Sequence, residues 1–110
     1  MIQQMPIYLQ IVFELEASIR DGIYKDKLPS SLEIAKVNNV NAATACRALN
    51  TLIDKGLAVR RRGIGTFVAP DAAERLRSER INFFYQQLSS DMIELGISKQ
   101  ELMEHLQTMQ

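Results

Sequence analysis

Near the start of the chain, apolar residues recur every fourth position: Ile7, Ile11, Leu15 and Ile19, with Tyr8 and Val12 beside them. That period puts them on one face of an amphipathic helix. Pro6 suits the first turn, where a missing N–H costs nothing. Gly22 suits the left-handed residue that closes a helix, and Ile23 is placed to cover the last turn. The pattern predicts a helix over 6–21.

Residues 24–29 read as a connecting loop. Ser30 and Glu33 then give the Ser-x-x-Glu spacing of a capping box, which satisfies two free amides reciprocally and starts a short helix over 31–37. Asn38-Asn39 reads as a turn, since Asn tolerates positive φ; Val40, apolar within it, is expected to point inward. Asn41 is a good N-cap. After it, Ala45, Ala48, Leu49, Leu52 and Ile53 form one stripe, and Ala43, Arg47, Asn50 and Asp54 lie opposite, until Gly56 stops the helix. Two helices joined by a tight turn, with small residues where they cross, read as a helix-turn-helix.

The period then changes to that of strands. Leu57-Ala58-Val59 and Thr66-Phe67-Val68 flank Arg60-Arg61-Arg62-Gly63-Ile64-Gly65, which predicts a two-stranded hairpin with a basic, glycine-rich tip. Three helices and this hairpin make the winged form of the motif. Pro70 and Asp71 open a further helix, with Glu74 placed for a capping box. Leu76, Phe84, Leu88, Met92 and Leu95 mark one of its faces. Gly96 ends it, Ser98 and Glu101 offer another box, and a last helix carries Leu102, Met103, Leu106 and Met109 on one side, with Ile97 and Leu102 spaced as a hydrophobic staple. Two striped helices in so short a segment cannot enclose both stripes alone.

These elements give a mainly α fold with a small β-hairpin: a winged helix-turn-helix DNA-binding domain over 1–69 and a two-helix dimerisation region over 70–110. Hydrophobic residues make up 46% of the 110 positions, enough for a core of about one domain's size. No apolar run approaches the ~18 residues of a membrane span, and the start shows no signal-peptide pattern. The single cysteine excludes an internal disulfide, which suits the cytoplasm. Net charge is zero but unevenly spread: nine Lys/Arg and six Asp/Glu over 1–69, four and seven over 70–110. A basic working module and an acidic appendage follow from that asymmetry.

The candidate chemistry is recognition of double-stranded DNA. The start of the helix at 42–55 is where a major-groove helix meets base edges. Asn and Arg can read purines in bidentate fashion, and Thr or Ala can touch a thymine methyl. Asn41 and Thr44 also have the plainer role of capping. Guanidinium groups at the hairpin tip pair with phosphates; protective edge charge is the alternative. Strand alternation aims Arg61 opposite to Arg60 and Arg62. Ser30 and Ser31 stand at a helix N-terminus, which favours a phosphate. Cys46 has no basic cluster beside it in sequence to make a redox switch. His105 reads as a surface or interface residue. One His and one Cys, far apart, make no metal site, and no cofactor or catalytic motif is visible. The Met and Phe residues of 83–109 read as interface core, with lining of a ligand pocket as the alternative.

Several segments together resemble the GntR family of bacterial repressors: Pro6-Ile7-Tyr8-Leu9-Gln10-Ile11, Asp21-Gly22, Leu28-Pro29-Ser30, Glu33-Ile34-Ala35, Thr44 with Arg47-Ala48, and Gly56-Leu57 through Arg61-Arg62-Gly63-Ile64-Gly65-Thr66-Phe67-Val68. The short two-helix tail is similar to that of the YtrA subfamily. The resemblance implies DNA contacts at Tyr8, Ser30, Ser31, Asn41, Ala43, Thr44, Arg47, Arg62 and Gly63, to which the basic tip adds Arg61. It implies a homodimer held by the C-terminal helices, here through Leu76, Phe84, Leu88, Met92, Leu95, Leu102 and Leu106. It also implies a palindromic operator, often near transporter genes, and it assigns no effector. Leu32 stands where the family usually has an Arg. That departure favours a competing reading, a winged-helix protein-interaction module with weakened or lost operator binding; the Arg-Gly tip opposes it.

Overall fold

The computed structural model describes residues 4–109. Its elements run α1 (Ile7–Arg20), α2 (Ser31–Asn38), α3 (Ala42–Asp54), β1 (Ala58–Arg61), β2 (Gly65–Val68), α4 (Ala72–Leu95) and α5 (Lys99–Thr108). The stripe of α1 is buried at Ile11, Val12, Leu15 and Ile19, and it meets Ala45, Ala48, Leu49 and Leu52 of α3 in one core. The alanines keep side-chain bulk off α3, so neighbouring helices can approach it closely.

Helices α1 and α3 end alike. Gly22 and Gly56 adopt φ of +80° and +75°. The amides beyond them, of Ile23 and Leu57, donate to Ser18 and Leu52 carbonyls at 2.8 and 2.9 Å. This is the Schellman arrangement. Its apolar seal differs between the two: Leu57 is 2% exposed, whereas Ile23 is 70% exposed and does not cover the last turn of α1 as its position suggested. Asn39, at φ +52°, closes α2 in the same left-handed conformation, and Val40 packs against the core.

The hairpin pairs Ala58 with Val68, Val59 with Phe67, Arg60 with Thr66 and Arg61 with Gly65. The strands therefore reach further into the tip than Val59 and Thr66. The segment before α2 is more ordered than a plain loop: Leu28 N–H donates to the Thr66 carbonyl at 2.9 Å, and Val68 N–H to the Asp26 carbonyl at 2.6 Å. A short third edge thus lies along β2, where unpaired backbone would otherwise face solvent.

Two polar ties complete this part. Glu16, almost buried on α1, is ion-paired with Lys55 just after α3. Arg75 donates to the Lys55 and Gly56 carbonyls, both at 3.1 Å. A cation there complements the negative end of α3.

The chain divides into two compact units, Met1–Arg77 and Ser78–Gln110; the ends of that span, 1–3 and 110, lie outside the described residues. The first unit extends past 69 because Ala69, Ala72 and Leu76 belong to its core. Leu76, expected on a dimer face, is 8% exposed within that core and is corrected to a core residue. In the second unit, Ile81, Phe83, Phe84, Tyr85, Leu88, Ile93, Leu95, Met103, Leu106 and Met109 are exposed, and α5 buries no residue. Ser98 caps α5 by accepting from Glu101 N–H at 3.1 Å. Among the described residues Glu101 returns no bond, so only half of the expected box forms.

Candidate nucleic-acid interface

The first turn of α2 is held by its own side chains. Ser30 Oγ accepts from Glu33 N–H at 3.1 Å, and the Glu33 carboxylate accepts from Ser30 N–H at 3.0 Å. The Ser30 amide first, and the Ser30 hydroxyl near the carboxylate second, hold the Glu33 carboxyl below its ordinary range. Ser30's side chain is thus engaged in capping, while Ser31 opens the helix half-buried. Leu32, next to it, is 71% exposed and takes no part in the core.

At α3, Asn41 Oδ1 accepts from Thr44 N–H at 2.8 Å. Its capping role is therefore realised, and the residue is exposed. Ala42, Ala43, Cys46 and Arg47 are exposed on the same opening turns, and Thr44 is half-buried. This leaves a short, small-sided surface from which one long cation projects.

That cation is not free. The Arg47 guanidinium carbon lies 3.9 Å from the centre of the Tyr8 ring, on α1. One turn further along α3, Asn50 Oδ1 accepts from Arg60 of β1 at 2.7 Å. Tyr8, Arg47, Asn50 and Arg60 thus form a row running from α1 across α3 into the hairpin. Sequence reasoning placed Tyr8 and Arg47 separately and left out Asn50 and Arg60. The only sequence signal was that Arg47 and Asn50 share the polar face of α3.

The three arginines of the hairpin divide their work. Arg60 turns to α3. Arg61 lies with its guanidinium carbon 4.7 Å from the Phe67 ring centre, on the other face of the ladder. Arg62 and Gly63 occupy the exposed turn, with Gly63 at φ +76° and Gly65 at +142°. A Cβ on Gly63 would meet nothing within 4 Å, so that glycine serves the turn's conformation and leaves the tip open. By contrast, a Cβ at Gly65 would lie 2.8 Å from the Lys27 side chain.

Among the described residues no group of three or more His, Cys, Asp or Glu is arranged to hold a metal ion, and no helix is long and apolar enough to cross a membrane.

Comparison with known proteins bears on this geometry. Residues 7–68 match the profile of the family described as bacterial regulatory proteins, gntR family. The chain is 33% identical over 107 residues to the HTH-type transcriptional regulator YhcF of Bacillus subtilis, spanning 94% of this chain and 88% of that protein. It is 31% identical over 99 residues to the HTH-type transcriptional repressor YtrA of the same organism, spanning 88% and 76%. Among solved structures, a GntR family transcriptional regulator from Listeria monocytogenes superposes with a TM-score of 0.77 at 30% identity, over 96% of each chain. AraR(DBD) in complex with operator ORX1 superposes with a TM-score of 0.58 at 31% identity, over 60% of this chain and 82% of that one.

Proposed function

The chain belongs to the GntR family of bacterial regulatory proteins, as a YtrA-like winged helix-turn-helix transcription regulator, and on that premise we propose that it is a repressor binding a palindromic operator as a homodimer. The observation that carries the reading is the small-sided start of α3, with Arg47 projecting from it and the basic tip at Arg62 and Gly63 beside the same ladder that Arg60 ties to α3. In this reading Asn41, Ala43, Thr44 and Arg47 meet base edges in the major groove. Ser30 and Ser31 bring the N-terminus of α2 to a phosphate. Arg61 and Arg62 grip phosphates, and Gly63 lets the backbone come close to the minor groove.

Two-fold pairing follows from operator geometry. Two recognition helices reach successive major grooves only if a rigid link spaces them about one helical turn apart. Phe84, Leu88, Met92, Leu95, Leu102 and Leu106 supply the apolar surface for that link. Transporter genes are the expected targets, and the site of action is the cytoplasm, where the DNA is. No effector is assigned.

A second reading, a protein-interaction module with weakened operator binding, has one observation in its favour: Leu32 and Val37 leave apolar side chains 71% and 83% exposed on α2. Selection from a random duplex pool separates the two. The repressor reading expects an enriched palindrome, and a pool without one would leave the interaction module standing. On an enriched duplex, Arg61→Ala with Arg62→Ala should flatten the salt dependence by about 0.9 in log–log slope for each phosphate the variant no longer neutralises. An unchanged slope would remove the hairpin from the interface.

A further inference from the structure

The resemblance implies a DNA contact at Tyr8, and within the protein the same ring has a partner of its own, Arg47. Tyr8 is half-buried and packs against the core, so its ring is fixed by α1. Arg47 lies over that ring at 3.9 Å. Among the described residues no hydrogen bond or ion pair engages the guanidinium. A contact with a ring needs no hydrogen-bond acceptor, so the N–H fork that recognises bidentate acceptors has none within the described residues and is left for an outside partner. An exposed arginine without such support samples many rotamers and must lose that freedom on binding. Asn50, on the same face of α3, is already engaged with Arg60 and does not compete for Arg47.

We propose that Tyr8 is a positioning residue for base recognition: its ring holds the Arg47 guanidinium in the pose in which the edge N–H groups read a base pair. The proposal rests on the reading of α3 as the recognition helix. It makes the aromatic ring, and not the phenol hydroxyl, the part of Tyr8 that matters.

The test uses the full chain and two probes, a duplex enriched by selection with the unaltered protein and a duplex of random sequence. Tyr8→Leu should lower the ratio of the two affinities by about two- to fivefold, the worth of an exposed cation–π contact. Tyr8→Phe should recover most of that loss. In an Arg47→Ala background Tyr8→Leu should cost nothing further, because the two residues act as one unit. Should Tyr8→Leu melt too low to assay, Tyr8→Met removes the ring with a longer, unbranched side chain that adapts better to the gap. Additive losses from positions 8 and 47 would overturn the proposal. So would Tyr8→Phe losing as much as Tyr8→Leu, which would make the hydroxyl a DNA contact. A second measurement needs no DNA. In NMR spectra of the free protein, the Arg47 side-chain protons should show a ring-current shift that persists in Tyr8→Phe and vanishes in Tyr8→Leu. Absence of that shift would overturn the stack itself. An intact shift in a protein that discriminates no sequence would instead overturn the reading of α3.

Discussion

The two units spend their apolar residues in opposite ways. In the first, the stripes of α1 and α3 close on each other, and Ile11, Ile19, Leu52 and Leu57 are almost wholly buried. In the second, the stripe residues Phe84, Leu88, Leu95 and Leu106 remain between 44% and 70% exposed, and α5 buries nothing. A helix hydrophobic on one face gains little until that face is covered. The first unit therefore carries its own stability. The second displays apolar surface that the proposed homodimer would cover with a second copy of the chain.

This contrast predicts where substitutions hurt, beginning with the largest effect. Leu52 is fully buried. Leu52→Ala should cost about 2–5 kcal/mol, from lost transfer energy and the cavity left behind. That is a large part of the roughly 5–15 kcal/mol by which a domain is stable. Urea unfolding measures it, and a loss well under 1 kcal/mol would mean that the core is not packed around α3 as described.

The next effect belongs to the tail. Phe84→Ser with Leu88→Ser should leave the first unit folded and weaken self-association on the order of 3 kcal/mol, from the remaining burial of four roughly half-exposed apolar side chains, two in each copy. Sedimentation should report a single chain where the unaltered protein reports two, and circular dichroism should still show the winged unit. A variant that remains dimeric would break the comparison, because the exposed stripe would then serve something other than pairing. Side-chain changes are a cleaner probe than ending the chain at Val68. That cut removes Ala69, Ala72 and Leu76 from the first core and confounds folding with association.

The fold was legible in the sequence wherever local physics decides. The four-residue spacing from Ile7 to Ile19, the Ser30–Glu33 box, the Asn41 cap and the glycines of the hairpin each fix their structure within a few residues. What escaped was the choice of partner at long range. Period assigns a residue to a face but does not say what covers that face. Leu76 shares a stripe with Phe84, yet it belongs to the first core. Ile23 and Leu57 occupy the same position of the same motif, and only Leu57 finds a neighbour to bury it. In the candidate site, the polar face of α3 was evident from Arg47 and Asn50. Their partners Tyr8 and Arg60 come from other elements, and no local pattern joins them. The same holds for Arg75 at the end of α3.

Leu32 tests the interface at a smaller scale. It is exposed one residue into α2, where the family usually carries Arg, so Leu32→Arg removes no core packing. A guanidinium there should add one charge-assisted phosphate contact, tighten binding by about 1 kcal/mol at low salt and steepen the salt slope by about 0.9. Preference among sequences should stay the same, since a phosphate carries no base identity. Unchanged affinity with normal melting would show that this end of α2 does not face the backbone.

The smallest effect compares the two units through one motif. Ser30 and Glu33 form a complete capping box in the first unit, whereas Ser98 in the second caps without a return bond. The carboxyl of Glu33 is held below its ordinary range by the Ser30 amide and then its hydroxyl. A group whose folded pKa is depressed contributes stability above its unfolded value, about 4.3 for Glu, and loses it as pH falls through the folded value. Glu33→Gln should therefore lower the melting temperature slightly at neutral pH. The gap should close as the pH falls through the depressed folded value, below which the native carboxyl is itself neutral. Because Glu33 is fully exposed, added salt should narrow the gap as well. Glu101→Gln has no reciprocal bond to remove and should change melting less than Glu33→Gln at neutral pH. A Glu33 gap that stays constant down to acid pH would show that shape, and not charge, makes the box work. Equal losses at positions 33 and 101 would erase the distinction between a cap that is closed on both sides and one that is closed on one.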